Sequence, residues 1–254
     1  NLFNLSKFKR CMQIDFYEEF PTKENLSKLR LVKYPIRLFV ATKSIREFNE
    51  LEQQIKKIKR DVRVGYWPIV PNSYWISPFS NTKDLILLFK EIEKIKNPLL
   101  IDLELPFQNK LLIIKNLPKF FKNKNLIGRF LEKNKRGITV AEFPASIISF
   151  FMKLIGLDYN IKTEKSLMWY SSMISKIMNT NIKKNLVELK NKFQYSISLG
   201  TIAPGIWKDE PILTPKNLEK DLEFVKKAGF NKVIIFRLGG LNKEYIKIIN
   251  KFQS

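Results

Sequence analysis

Histidine is absent from all 254 residues. Without imidazole the chain builds no Ser-His or Cys-His nucleophile pair, no imidazole general base and no histidine-ligated zinc or iron. Cysteine occurs once, at Cys11. That excludes an intrachain disulfide and a multi-thiolate metal site, and the lone thiol reads as a spare apolar side chain. No apolar run is long enough to cross a bilayer; "SIISFFMKLIGL" is short and carries a lysine. The opening "NLFNLSKFKR" lacks an apolar signal core. The compartment stays open: cytoplasmic, or cell surface and secreted if a signal segment has been removed.

Arginine is scarce too, at nine residues, so the net charge of +22 is almost wholly lysine. Planar, two-pronged phosphate recognition favours arginine. The lysines are scattered over every helical segment, as solvated faces and compositional bias would place them. No specific nucleic-acid partner is expected, and an anionic surface or polymer stays open. The chemistry left to this chain is that of carboxylates, lysine, tyrosine, arginine or an oxygen-bound metal.

What is present is a regular alternation of short β-rich runs and amphipathic segments. The runs are "CMQIDFYEEF", "IRLFVAT", "VRVGYWPIV", "PLLIDLEL", "GITVAEF", "SLMWYSS", "YSISLGTIA" and "KVIIFRLGG". Between them lie helical stretches such as "SIREFNELEQQIKKIK" and "TPKNLEKDLEFVKKAGF". The latter starts on the cap Thr214 with Pro215 in its first turn and stops at Gly229. Eight strand–helix units fill the length without a Gly/Ser linker. That is the arithmetic of a single α/β domain over 1–254, a (β/α)8 TIM barrel.

In such barrels the chemistry collects at the C-terminal ends of the strands. Strand 1 ends in Asp15, Tyr17 and Glu19 on one face. In strand 4, Asp102 and Glu104 are two apart and share a face, opposite Ile101, Leu103 and Leu105. With the apolar face against the helices, both acids point into the barrel. Strand 5 ends in Glu142, strand 6 offers Tyr170 and Ser172, strand 8 offers Arg237, and the loop after strand 7 holds Asp209 and Glu210. An internal ion pair of Arg237 with Glu104 or Asp15 is a structural use for some of these acids. Crowded carboxylates in a desolvated pocket raise one another's pKa, giving a proton donor beside an ionised partner. Glycoside hydrolysis uses such pairs.

Four tryptophans fall at or beyond strand ends: Trp67, Trp75, Trp169 and Trp207. Trp169 is expected to pack against helices. Trp67, Trp75 and Trp207 suit the apolar faces of sugar rings. The glycines in "SLGTIAPG" and "FRLGGLN" offer a different reading, in which Gly200, Gly239 and Gly240 let backbone N–H groups approach a phosphate beside Arg237.

The pattern Asp102-Leu103-Glu104 on strand 4, with "MWYSS" on strand 6, resembles the chitinase-like (family 18) glycosidases. The resemblance implies Glu104 as the acid, Asp102 as its orienting partner and Tyr170 as a contact for the substrate's acetamido group. Leu100 and Asn97 stand where that family carries further aspartates, and Ser171 where an aspartate often follows the tyrosine.

The leading expectation is thus a carbohydrate-active enzyme, a glycoside hydrolase with Glu104 and Glu142 as working carboxylates and Asp102 kept ionised beside Glu104 by better hydration or by hydrogen bonding. It needs no cofactor. One alternative is a barrel enzyme acting on a phosphorylated or carboxylated small molecule, with Mg²⁺ on the acids. The other is a non-catalytic barrel that binds a glycan or an anionic partner.

Overall fold

The computed structural model describes residues 11–106, 109–134, 137–143 and 149–253. The opening "NLFNLSKFKR" and the first residues of "SIISFFMKLIGL" lie outside that range. Eight parallel strands close into a barrel in sequence order. They are β1 (Gln13–Glu18), β2 (Ile36–Thr42), β3 (Val62–Pro68), β4 (Leu99–Asp102), β5 (Ile138–Glu142), β6 (Glu164–Trp169), β7 (Tyr195–Gly200) and β8 (Lys232–Phe236). Helices follow the strands around the outside, so the expected TIM barrel is the fold observed. Among the described residues no helix is long and apolar enough to cross a membrane.

The strands are apolar on both faces because each face meets a different core. The outward set, with Ile14, Phe16, Leu38, Val40, Val64, Ile101, Val140, Leu167, Ile197, Val233 and Ile235, packs under the helices. The inward set, with Tyr17, Phe39, Trp67, Leu100, Ala141, Met168, Ile234 and Phe236, fills the barrel. The helices stop and start where the sequence dictates. Thr214 accepts a hydrogen bond from the N–H of Asn217, Pro215 occupies the first turn, and Gly229 ends the last turn at φ +90°. Ser44 caps Ile45–Ile58 in the same way, accepting from the N–H of Glu47.

Two polar layers sit in the interior below the pocket. At the N-terminal end, Arg37 bridges Asp15 (3.3 Å) and Glu164 (2.8 Å). One layer up, the Tyr17 hydroxyl meets Ser166 (2.9 Å) and Ser198 (3.1 Å). Glycine at 65 makes room for Phe39, whose ring would stand 2.4 Å from a Cβ there. These layers close the bottom of the barrel, so any ligand must enter from the other end.

Candidate active site

A pocket of about 370 Å³ opens at the C-terminal end of the strands. Its floor is Tyr17, Leu100, Ala141, Met168 and Phe236, and its walls include Trp67, Trp75, Trp207 and Tyr170. Four carboxylates reach it: Glu19, Asp102, Glu104 and Glu210. None of its described lining residues is a lysine or an arginine.

Alternation along β4 explains the strand 4 pair. Leu100 points inward, so Asp102 does as well, and the chain beyond the strand keeps Glu104 on the same side. Asp102 is only 6 % exposed, and its Oδ1 has no hydrogen-bond partner. Burial, then the charge of Glu19, pushes its pKa up to about 7. Glu104 is half-buried, and burial followed by the charges of Asp102 and Glu19 holds its pKa well above the usual carboxylate range. Glu19, at the end of β1, is pushed up by burial to about 7, although the Tyr74 hydroxyl donates to its Oε1 at 2.5 Å. Its Oε2 is unpartnered. The pocket therefore holds carboxyl protons at neutral pH, with ionised neighbours close by.

The aromatic wall has two parts. Trp75 and Trp207 stack at 6.2 Å, Tyr74 meets Trp75 edge-on at 5.0 Å, and Tyr170 leans on Phe236 at 5.7 Å. Trp67 is buried against Tyr17, with its indole Nε1 unpartnered. Trp169 is turned to the outside, where it donates to Asn179 Oδ1 at 2.8 Å and packs on Phe224.

Several expectations are corrected. Glu142 does not face the pocket: Ala141 takes the inward position on β5, and the Glu142 side chain points out toward Lys165 at 2.9 Å. Lys165 also reaches Asp158 at 3.4 Å, in a separate cavity behind the barrel wall that Glu142 lines. Asp15 faces inward but lies at the opposite end of the barrel, held by the Arg37 N–H (2.7 Å) and the Gln13 amide (2.9 Å). Asp102 is not the better hydrated member of its pair, because the pocket floor covers it. Arg237 pairs with neither Glu104 nor Asp15. It donates to Glu18 Oε1 at 3.0 Å and to the Pro204 carbonyl at 2.8 Å.

The phosphate reading fails on the same contacts. Gly239 N–H donates to Glu18 Oε2 at 2.6 Å, and the Phe20 N–H donates to Glu18 Oε1 at 2.8 Å. The donors of a phosphate cradle are already arranged around a carboxylate of the chain itself. Gly240 is a close approach of backbones, since a Cβ there would stand 2.0 Å from the Ile202 carbonyl oxygen. Gly200, at φ +158° with extended-like backbone, lies against the Phe236 carbonyl rather than at an opening. Among the described residues no group of three acidic or thiol side chains gathers closely enough to hold a metal ion.

Sequence reasoning left Met168, Met173 and Met178 off the site and placed Glu210 at this rim without giving it a role; all four line the pocket, and Tyr74 acts on it through Glu19. Glu210 accepts from the N–H groups of Gly205 and Trp207, each at 3.0 Å. The cluster of Gly205, Trp207 and Glu210 in one loop was the available signal.

No family model matches the chain, and no curated protein matches it. Solved structures do match, at the level of the fold. A glycoside hydrolase family 18 N-acetylglucosaminidase from Paenibacillus barengoltzii is 10 % identical, covering 95 % of this chain and 99 % of its own, with a TM-score of 0.51. A class V chitinase from Nicotiana tobaccum is 8 % identical, over 96 % of this chain and 99 % of its own, with a TM-score of 0.56. A spore cortex-lytic enzyme from Bacillus megaterium is 12 % identical, over 98 % of this chain and 76 % of its own, with a TM-score of 0.55. The barrel of this chain thus has the fold of family 18 glycosidases and related glycoside hydrolases.

Proposed function

We propose that the protein is a carbohydrate-active enzyme that hydrolyses glycosidic bonds, with Glu104 as its proton donor. The observation that carries this reading is the Asp102–Glu104 pair, two acids on one side of the chain at the floor of an aromatic-walled pocket. A leaving sugar alcohol needs a proton as its bond breaks, and an acid with a raised pKa supplies it near neutral pH. Glu104 is that acid, kept protonated by burial and by its two acidic neighbours. As the bond breaks, positive charge develops on the sugar ring. Asp102 and Glu19, once ionised, stabilise that charge in surroundings poor in water. Trp75, Trp207 and Tyr170 give the sugar rings flat apolar surfaces to lie on. The fold of the family 18 glycosidases supports the reading, as does the place of Glu104 just beyond the end of β4, where the sequence resemblance puts the acid.

The alternative with a phosphorylated or carboxylated substrate is disfavoured by a pocket whose described lining residues include four acids and no cation. A panel of chromogenic glycosides and unmodified oligosaccharides, offered to the wild type and to Glu104→Gln, tests the proposal. Cleavage of at least one glycoside, lost in Glu104→Gln, supports it. A well-folded wild type that cleaves none, or a variant that cleaves as fast as wild type, refutes it.

A further inference from the structure

The pocket is an acidic hollow in a basic protein. The chain carries 46 lysines and arginines against 24 acids, yet among the described residues four carboxylates and no cation line this cavity. Two of its acceptor atoms, Asp102 Oδ1 and Glu19 Oε2, are unpartnered on side chains each 6 % exposed. Buried acceptors without donors are costly unless something supplies the donors.

We propose that the sugar taken by this pocket carries a free amino group, held as its ammonium between Glu19 and Glu210 beside the stacked indoles of Trp75 and Trp207. The inference rests on the reading of the pocket as a sugar site and goes beyond it in naming the charge of the ligand. Glu19 Oε2 and Glu210 Oε1 converge: they lie 2.9 and 2.8 Å from the point where a Cβ on Gly205 would stand. Glycine at 205 lets both carboxylates pack against its Cα, where a Cβ would collide with them and with the Phe236 ring. The cation acting on Glu19 is Arg237, and its guanidinium is already held by Glu18 and the Pro204 carbonyl.

An ammonium fits these needs better than the neutral alternatives. It brings three N–H donors for carboxylate oxygens and no acceptor that would need a donor in return. It also gains from lying against indole faces. An acetamido group brings one N–H and a carbonyl oxygen, and it neutralises nothing. A phosphate or carboxylate would meet four acids.

Titration calorimetry of the full chain near neutral pH tests this. The probes are a glucosamine trisaccharide, its fully N-acetylated counterpart, and choline as an ammonium without a sugar. The glucosamine trisaccharide is expected to bind at least ~10-fold more tightly than the acetylated one. That preference should narrow between about 50 and about 500 mM salt in the wild type, which needs no variant. It should also shrink in Glu19→Gln and in Glu210→Gln, each checked for an unchanged circular-dichroism spectrum. Equal or tighter binding of the acetylated sugar overturns the proposal, as does no binding of either sugar. Choline binding as tightly as the glucosamine trisaccharide overturns the assignment to a sugar. Hydrolysis confined to neutral sugars would sink this inference and leave the proposed function standing. Amino-sugar binding without any hydrolysis would do the reverse.

Discussion

Arg237 holds Glu18, not Glu104: the guanidinium donates to Glu18 Oε1 at 3.0 Å, on the face of β1 that looks away from the pocket. Adjacent residues of β1 thus have opposite surroundings. Glu18 is enclosed by Arg237 and the backbone N–H groups of Phe20 and Gly239. Glu19, on the other face, looks into a pocket with no cation among its described lining residues. The arrangement ties the loop after β8 to the end of β1, while the Arg237 charge still eases the ionisation of Glu19.

A first prediction follows for phosphate. Because Glu18 occupies the donors, inorganic phosphate should raise the melting temperature no more than chloride at equal ionic strength. Glu18→Ala should lower it, since the variant leaves Arg237 buried without its carboxylate. A specific stabilisation by phosphate would restore the reading of Gly239 and Gly240 as an anion cradle.

The raised carboxyl pKa values predict an unusual pH dependence of stability. A carboxylate whose pKa is raised on folding binds more protons in the native state than in the unfolded one. Its contribution is present below the unfolded pKa, about 4, and is lost as pH rises through the folded value. For Asp102 and Glu19 that window runs from about 4 to about 7. The melting temperature should therefore fall between about pH 4 and pH 7 and level off above that. Asp102→Asn should melt about 2–4 °C above wild type at pH 8 and close to it at pH 4. A melting temperature that rises over that range would show these acids to be well solvated.

Glu142→Gln separates the structural acid from the pocket acids. Glu142 contacts Lys165 outside the barrel, so the variant should keep kcat/KM within about threefold of wild type. Its cost should appear in stability, because Lys165 would be left with the more distant Asp158 carboxylate and the Tyr159 carbonyl. A loss of turnover comparable with that of Glu104→Gln would place Glu142 in the chemistry after all.

Much of the frame was legible in the sequence. The run "IRLFVAT" is β2 residue for residue, and alternation alone put Asp102 and Glu104 on one side of strand 4. Glu142 was misread because β5 is buried along its whole length. With Thr139 and Ala141 small and inward, and Ile138 and Val140 outward, nothing in "ITVAE" marks a face. Only the pairing of Ala141 with Asp102 in the sheet settles it. Asp15 was misread for a different reason. Alternation reports the side of a strand and says nothing of depth, and Asp15 pairs with Ile234 two residues below the level of Phe236. Tyr74 and Glu210 come from loops, where no period exists to read.

Surface charge has its own test. If the lysine excess is compositional, binding to duplex DNA should be weak and vanish by moderate salt, with a slope that reflects few phosphate contacts. Tight, sequence-dependent binding that survives such salt would contradict that view.

The central claim is that Glu104 gives its proton to the leaving group, and leaving-group dependence measures it most directly. Turnover by wild type and Glu104→Gln should be compared on two glycosides of one sugar, one with an alkyl or sugar leaving group and one with an acidic nitrophenol. The account predicts a loss of at least ~100-fold on the first, which needs the proton, and a much smaller loss on the second, which does not. An equal loss on both, or none on either, would contradict it.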